Sequence, residues 1–104
     1  MDTPETKVKK KIKKYLDSLS ETSDKLIYYE CREAGGFCYK KGLPDMWATI
    51  NGKHLEIEIK KEEGGRRSTM QIKWEEIFNS LGVAYCCVSS VQELDEAIKK
   101  LESN

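Results

Sequence analysis

Apolar residues recur along this chain with two periods, and the change between them marks out its elements. From Val8 to Leu19 they fall at Val8, Ile12, Tyr15, Leu16 and Leu19, the spacing of one helical face. Thr3 is placed to cap that helix, Pro4 suits its first position and Glu5 its first turn. Lysines fill the opposite side. Glu5 lies three residues before Val8 and so joins the apolar stripe, an odd place for a carboxylate. Polar residues 21–25 break the helix. Leu26 to Cys31 then reads as a strand, with Ile27, Tyr28 and Tyr29 supplying β-branched and aromatic character. Gly35-Gly36 reads as a turn, and Phe37-Cys38-Tyr39 as a short extended segment leading to Gly42.

The period then drops to two. Asn51-Gly52 is a strong signal for a two-residue hairpin turn. With those two residues in the turn, Ile50 faces Lys53, Thr49 faces His54, and Asp45 falls opposite Glu58. Met46, Ala48 and Ile50 share one face with Leu55, Ile57 and Ile59. The other face sets Asp45, Trp47 and Thr49 against Glu58, Glu56 and His54. After a polar loop containing Gly64-Gly65, Ser68 and Gln71 form a capping box that opens a helix to about Leu81, with Met70, Trp74, Ile77, Phe78 and Leu81 inward. Gly82 ends it. Val83 to Val88 is almost continuously apolar, which suits a buried strand. Ser90 and Glu93 form a further capping box before a last helix with Leu94, Ala97, Ile98 and Leu101 inward. The expectation is an α/β fold of order α-β-β-β-α-β-α, its third and last strands joined by a right-handed parallel crossover.

A chain of 104 residues makes one domain, 1–104, with room for one modest core. No apolar run approaches the roughly 18–20 residues a membrane span needs, and charge from Asp2 onward argues against a secretory signal. The expected location is cytoplasmic or nuclear, in a host cell if the protein is viral, with no membrane partner. Cys31, Cys38, Cys86 and Cys87 make no Cys-x-x-Cys pair and His54 is the only histidine, so a common zinc site is not expected and the cysteines read as reduced thiols. Eighteen basic residues balance eighteen acidic ones, yet the distribution is uneven. Residues 1–14 carry six lysines, among them Lys9, Lys10 and Lys13, and Arg66, Arg67 and Lys73 form a second basic cluster. A neutral total can hide a basic stripe facing an anionic partner. Gly64-Gly65-Arg66-Arg67-Ser68 places backbone N–H groups and two guanidiniums at a helix N-terminus, where a phosphate would be held, or else forms a flexible loop.

The candidate chemistry lies in the facing acids. Like charges directly opposed on a sheet destabilise it, and a cation between them reverses the sign. Asp45 and Glu58 offer oxygen to a hard divalent ion such as Mg2+, which takes one or two carboxylates plus water and substrate phosphate. Lys60, two residues past Glu58 and therefore about 6.6 Å away on the same face, is placed to orient water or to stabilise charge developing on phosphorus. The plain alternative is a solvated hairpin face. Glu5 reads either as a macrodipole acid or as a third metal-side carboxylate. Gln71 reads as a capping residue, a site residue, or both. His54, about 13 Å from Glu58 along the strand, reads as a surface residue, Glu56 as an outside candidate, and Trp47 and Trp74 as packing.

Gly42-Leu43-Pro44-Asp45, Glu56-Ile57-Glu58-Ile59-Lys60, a glycine-containing loop, Ser68-x-x-Gln71 and a closing apolar strand together resemble the PD-(D/E)xK nucleases. With the early helical Glu5, the pattern resembles the VRR-NUC (virus-type replication-repair nuclease) group over about residues 4–98. The resemblance implies a restriction-endonuclease-like core, a mixed sheet flanked by helices, and metal-dependent hydrolysis of phosphodiester bonds using Mg2+ or Mn2+. It implies Asp45, Glu58, Lys60 and Gln71 as catalytic residues, Glu5, Asp45 and Glu58 as metal ligands, and Lys9, Lys10, Lys13, Arg66, Arg67, Ser68 and Lys73 as DNA contacts. Stand-alone members are similar to Holliday-junction resolvases that act as homodimers on four-way DNA. A nuclease for nicks, flaps or simple ends, and a non-catalytic binding module keeping the fold, are the competing readings. The chain departs from the pattern in having only Lys40 and Lys41 just before Gly42 and an extra acid at Glu56.

Overall fold

The computed structural model describes residues 3–32, 40–61 and 66–103. The expected turn at Gly35-Gly36, the segment Phe37-Cys38-Tyr39 and the Gly64-Gly65 loop lie outside them. Helix α1 spans Pro4–Thr22, capped by Thr3, whose Oγ1 accepts from the Thr6 N–H at 3.1 Å. It ends within the polar residues 21–25 expected to break it, and those residues satisfy its last carbonyls. Thr22 Oγ1 donates to the Ser18 carbonyl at 2.7 Å, and the chain leaves the helix only at Ser23, whose N–H reaches Leu19 O at 3.1 Å.

Strands β1 (Ile27–Cys31), β2 (Met46–Ile50) and β3 (Lys53–Ile59) form an antiparallel meander, and β4 (Ala84–Val88) adds parallel to β3. The result is a mixed four-stranded sheet of order β1-β2-β3-β4. The hairpin register is the one the turn dictates: Ile50 pairs with Lys53, Trp47 with Glu56 and Met46 with Ile57. Asn51 and Gly52 both take positive φ, 50° and 81°, as the favoured two-residue turn requires. Leu26, expected in β1, stays outside it and is exposed, its N–H bonded to Asn51 Oδ1 at 2.9 Å.

The core fills one face of the sheet. Met46, Ala48, Ile50, Leu55, Ile57, Ile59 and Val88 meet Val8, Ile12 and Leu16 of α1 and Leu94, Ile98 and Leu101 of α3 (Val91–Glu102). Alternation at period two and stripes at helical spacing converge here on one apolar layer. The Ser90 cap differs in detail from a capping box. Its Oγ accepts from the Glu93 N–H at 3.1 Å, but the Glu93 carboxylate reaches one residue further back, to the Ser89 N–H at 2.8 Å.

Helix α2 (Thr69–Ser80) joins β3 to β4 and lies over the opposite face. Phe78 stacks on Tyr85 with ring centroids 6.4 Å apart, and Tyr85 alternates with Ala84 and Cys86, which pack on the core side. Here the sequence expectation is corrected twice. No residue of α2 is fully buried, and Leu81, assigned inward, is 69% exposed. The charged side chains on this face of β3 give the helix no apolar floor, so its ring packing falls on β4 and its contact with β3 is polar, through Gln71. Strand β4, expected to be buried, is the sheet's edge, and only Val88 is fully buried. Its apolar run arises from being flanked by α2 and α3, with no strand on its outer side among the described residues.

One backbone contact ties this helix to the approach to β2. Gly42 has φ +87°, and a Cβ there would lie 2.5 Å from Met70 Cβ, so only glycine fits. Trp74 Nε1 donates to the Lys41 carbonyl at 3.0 Å beside it. Among the described residues no helix is long and apolar enough to cross a membrane.

Candidate active site

Ladder pairing of β2 stops at Met46, and the chain enters it through Pro44, which is fully buried. Asp45 therefore presents its carboxylate inward instead of continuing the pleat. Asp45 Oδ2 accepts from the Ile59 N–H at 2.8 Å. The pairing of Asp45 with Glu58 expected from the turn is therefore not part of the ladder, yet the Asp45 charge still acts on Glu58, whose own position is 1% exposed. Burial first, then the charge of Asp45, push the Glu58 carboxyl from its usual 4.5 up to about 8, with Lys60 pulling the other way and Glu5 adding to the rise.

Lys60 completes the arrangement and is itself 8% exposed. Its Nζ lies 3.7 Å from Glu58 Oε2 and donates to Gln71 Oε1 at 2.8 Å. Gln71 Nε2 donates to Glu58 Oε2 at 2.8 Å. The same amide oxygen also accepts from the Ser68 N–H at 2.7 Å, while Ser68 Oγ accepts from the Gln71 N–H at 3.1 Å. Gln71 thus closes its capping box and bridges the lysine to the acid with one side chain. The capping box expected from the sequence is present.

One oxygen remains. Glu58 Oε1 is buried with no hydrogen-bond partner among the described residues, and such an atom is costly unless something is meant to meet it. Among the described residues no group of three or more His, Cys, Asp or Glu side chains gathers into a ligand cluster. Glu5 is exposed at the start of α1 and is felt at Glu58 as a charge. The orphaned oxygen and the Asp45–Glu58 pair fit an oxygen-seeking divalent ion that keeps several waters.

Glu56, two residues before Glu58 and 2% exposed, is fully engaged. Arg32 meets it with two nitrogens, Nη1 to Oε1 at 2.5 Å and Nη2 to Oε2 at 3.1 Å. His54 Nε2 reaches Glu56 Oε2 at 2.5 Å, and the His54 ring stacks on Trp47 with centroids 5.4 Å apart. His54 is exposed, as its distance from Glu58 suggested, and closes over Glu56 and Trp47 from the surface. Nothing in the spacing nominates Arg32, although an acid flanked by Leu55 and Ile57 in a strand calls for a cation somewhere.

The expected DNA contacts divide between the two sides of the sheet. Lys9, Lys10 and Lys13 belong to α1 on the core side, with Lys10 and Lys13 exposed. Arg66 and Lys73 are exposed on the approach to α2 and on α2 itself, and Ser68 is its N-cap. Arg67 turns inward: its guanidinium pairs with Glu75 at 2.6 Å, donates to Tyr85 Oη at 2.9 Å and lies 5.6 Å from the centre of that ring. Burial outweighs Arg67 and holds the Tyr85 hydroxyl well above its usual range. Cys31, Cys86 and Cys87 are free thiols, with Cys87 paired in register with Glu58.

No family model matches the chain, and no curated protein matches it. Among solved structures it is similar to one described as a "VRR_NUC domain", with a TM-score of 0.69 at 24% identity, over 94% of this chain and 97% of that one. Likeness at that identity is a likeness of fold, and it takes in nearly the whole of both chains. The chain therefore has the restriction-endonuclease-like α/β fold of a VRR_NUC domain.

Proposed function

We propose that this chain is a Mg2+- or Mn2+-dependent DNA endonuclease that hydrolyses phosphodiester bonds, selects branched DNA such as four-way junctions, and acts as a homodimer. The observation that carries the reading is the quartet Asp45, Glu58, Lys60 and Gln71. Two acids, a buried lysine and an amide are joined on one sheet face, and one acid oxygen is left without a partner. A merely solvated hairpin face would not bury Glu58 and Lys60 this deeply. Asp45 and Glu58 would hold the metal, which when bound polarises a phosphoryl oxygen and acidifies water. Asp45 is kept in place by the Ile59 N–H and Glu58 by Gln71. One of the three ammonium donors of Lys60 is fixed by Gln71, which leaves the others for the attacking water or a phosphoryl oxygen.

The likeness to a VRR_NUC domain supports the nuclease reading. Branched DNA is what the resemblance to stand-alone junction resolvases implies, and counting then supports the dimer: one chain carries one such quartet, whereas paired incision of a four-way junction needs two related by a two-fold axis. Arg66 and Lys73 on the face of the quartet are the cations best placed to follow a phosphate backbone, and binding should weaken steeply with salt. The test is incubation with four-way, flapped, nicked and linear duplex DNA, with and without Mn2+, alongside Asp45→Ala and Lys60→Ala. Metal-dependent cutting lost in both variants is expected. Metal-independent cutting, or full activity in Asp45→Ala, would sink the mechanism. Binding with no cutting of any substrate would make the chain a binding module.

A further inference from the structure

We infer that Arg32 and Glu56 are positioning residues for Asp45: Glu56 anchors the Arg32 guanidinium, and Arg32 holds the Pro44-Asp45 backbone so that the Asp45 carboxylate faces Glu58. Arg32 grips this segment twice. Its backbone N–H donates to the Asp45 carbonyl at 2.8 Å, and its Nη1 donates to the Pro44 carbonyl at 3.0 Å. The same nitrogen, with Nη2, makes the two-pronged contact to Glu56. One planar fork therefore spans the acid on β3 and the peptide entering β2, a geometry that a lysine's single ammonium does not reproduce.

The position matters because Asp45 lies just beyond the ladder to β3. Met46 is the last residue of β2 paired to β3, so the Asp45 peptide is tied on the β1 side alone, by the Arg32 N–H. The Arg32 contacts fix it from that side, and the Ile59 N–H holds the carboxylate from the other. Proline supplies no N–H of its own here, so the Pro44 carbonyl is the handle available on that residue. The assignment also explains Glu56, the acid that departs from the resembled pattern. With Arg32 on both its oxygens and His54 on one, Glu56 is bound as an anchor and does not compete with Glu58 for a cation.

The catalytic consequence rests on the nuclease reading, but the geometry is readable without it. Amide hydrogen exchange of the metal-free, 15N-labelled full chain reports the Asp45–Ile59 bond directly. In Arg32→Lys and Glu56→Gln, Ile59 should exchange roughly tenfold faster or more, the loss of a charge-assisted bond, while Ile57 keeps its rate. Mn2+ affinity of the same proteins, measured by calorimetry without DNA, should fall about 10–100-fold, the usual cost of losing support behind a ligand. Unchanged Ile59 exchange in these variants overturns the inference. If a single variant loosens Ile57 as well, the paired apolar replacement Arg32→Leu with Glu56→Leu decides, since it leaves no lone buried charge. Acceleration confined to Ile59 supports the inference. A wild-type rate, or acceleration at both amides, overturns it and makes the pair a general brace. Failure of the wild type to cut DNA would remove the nuclease reading and leave the exchange result standing.

Discussion

Glu56 and Glu58 sit two residues apart on one face of β3, and both are shut away from solvent, yet their surroundings are built to opposite ends. Around Glu56 both oxygens have cationic or imidazole partners, and the guanidinium fork meets the carboxylate in the geometry that best offsets the cost of burial. Around Glu58 the nearest cation stands 3.7 Å off and is shared with an amide, a second carboxylate presses against it, and one oxygen has nothing. The first acid is a finished structural element. The second is held in a state that favours a proton until a stronger positive charge arrives. Burial alone does not distinguish the two acids; what separates them is whether the fold has already supplied the counter-charge.

The comparison is broken most sharply by removing each charge in turn. Glu58→Gln should lower metal-dependent cleavage on the order of a thousandfold, the scale of several kcal/mol of transition-state stabilisation, in a single-turnover assay on four-way DNA. The same substitution should make the metal-free protein more stable at pH 8, on the order of 2–4 kcal/mol by urea unfolding. The sign follows from the raised carboxyl. Between about 4.5 and about 8 the folded state holds a proton the unfolded state has lost, so wild-type stability should decline as pH rises through that window. Glu58→Gln should flatten the decline, and saturating Mn2+ should oppose it by binding the folded state. A wild-type stability that rises from pH 5 to pH 8 would contradict this account of Glu58.

Glu56→Gln should act in the other direction. It leaves Arg32 half-satisfied, and unfolding should be easier by about 1–3 kcal/mol, with Arg32's partial exposure keeping the loss at the low end. Gln71→Ala is a smaller perturbation of the fold, about 1 kcal/mol from the broken capping box. It should cost cleavage more than stability because Lys60 and Glu58 lose their common partner. Least of all, Leu81→Ser should stay within about 0.5 kcal/mol of wild type, since that leucine is 69% exposed. A large loss there would mean that α2 packs more deeply than its contacts indicate.

What could be read from the chain alone follows from how local each determinant is. Asn51-Gly52 sets a turn within two residues, and the turn sets every pair out to Met46 and Ile57. The alternation that buries Ile57 necessarily turns Glu58 to the other face. Thr3, Ser68 and Ser90 each cap within three residues, so the helix starts were legible as well. The edge position of β4 was not, because a parallel strand flanked by two helices is apolar whether or not another strand lies beyond it. The shallow seating of α2 depends on what the sheet offers beneath it, which the helix's own stripe cannot report. Arg32 was invisible for the same reason. It joins the site through contacts to residues 12 and 24 positions away, and a single arginine after a strand carries no sign of that.

The close approach at Gly42 acts as a width gauge for the candidate cleft. One wall is the Gly42–Asp45 segment that delivers an acid, and the other is the helix that delivers Gln71, the residue after Met70. The two meet where there is no room for a single methyl group. A side chain at residue 42 would wedge the walls apart, lengthening the reach from Gln71 to Lys60 and Glu58 while leaving the main core on the far face of the sheet undisturbed. Tolerance for sequence change should therefore be low at a residue that has no side chain of its own.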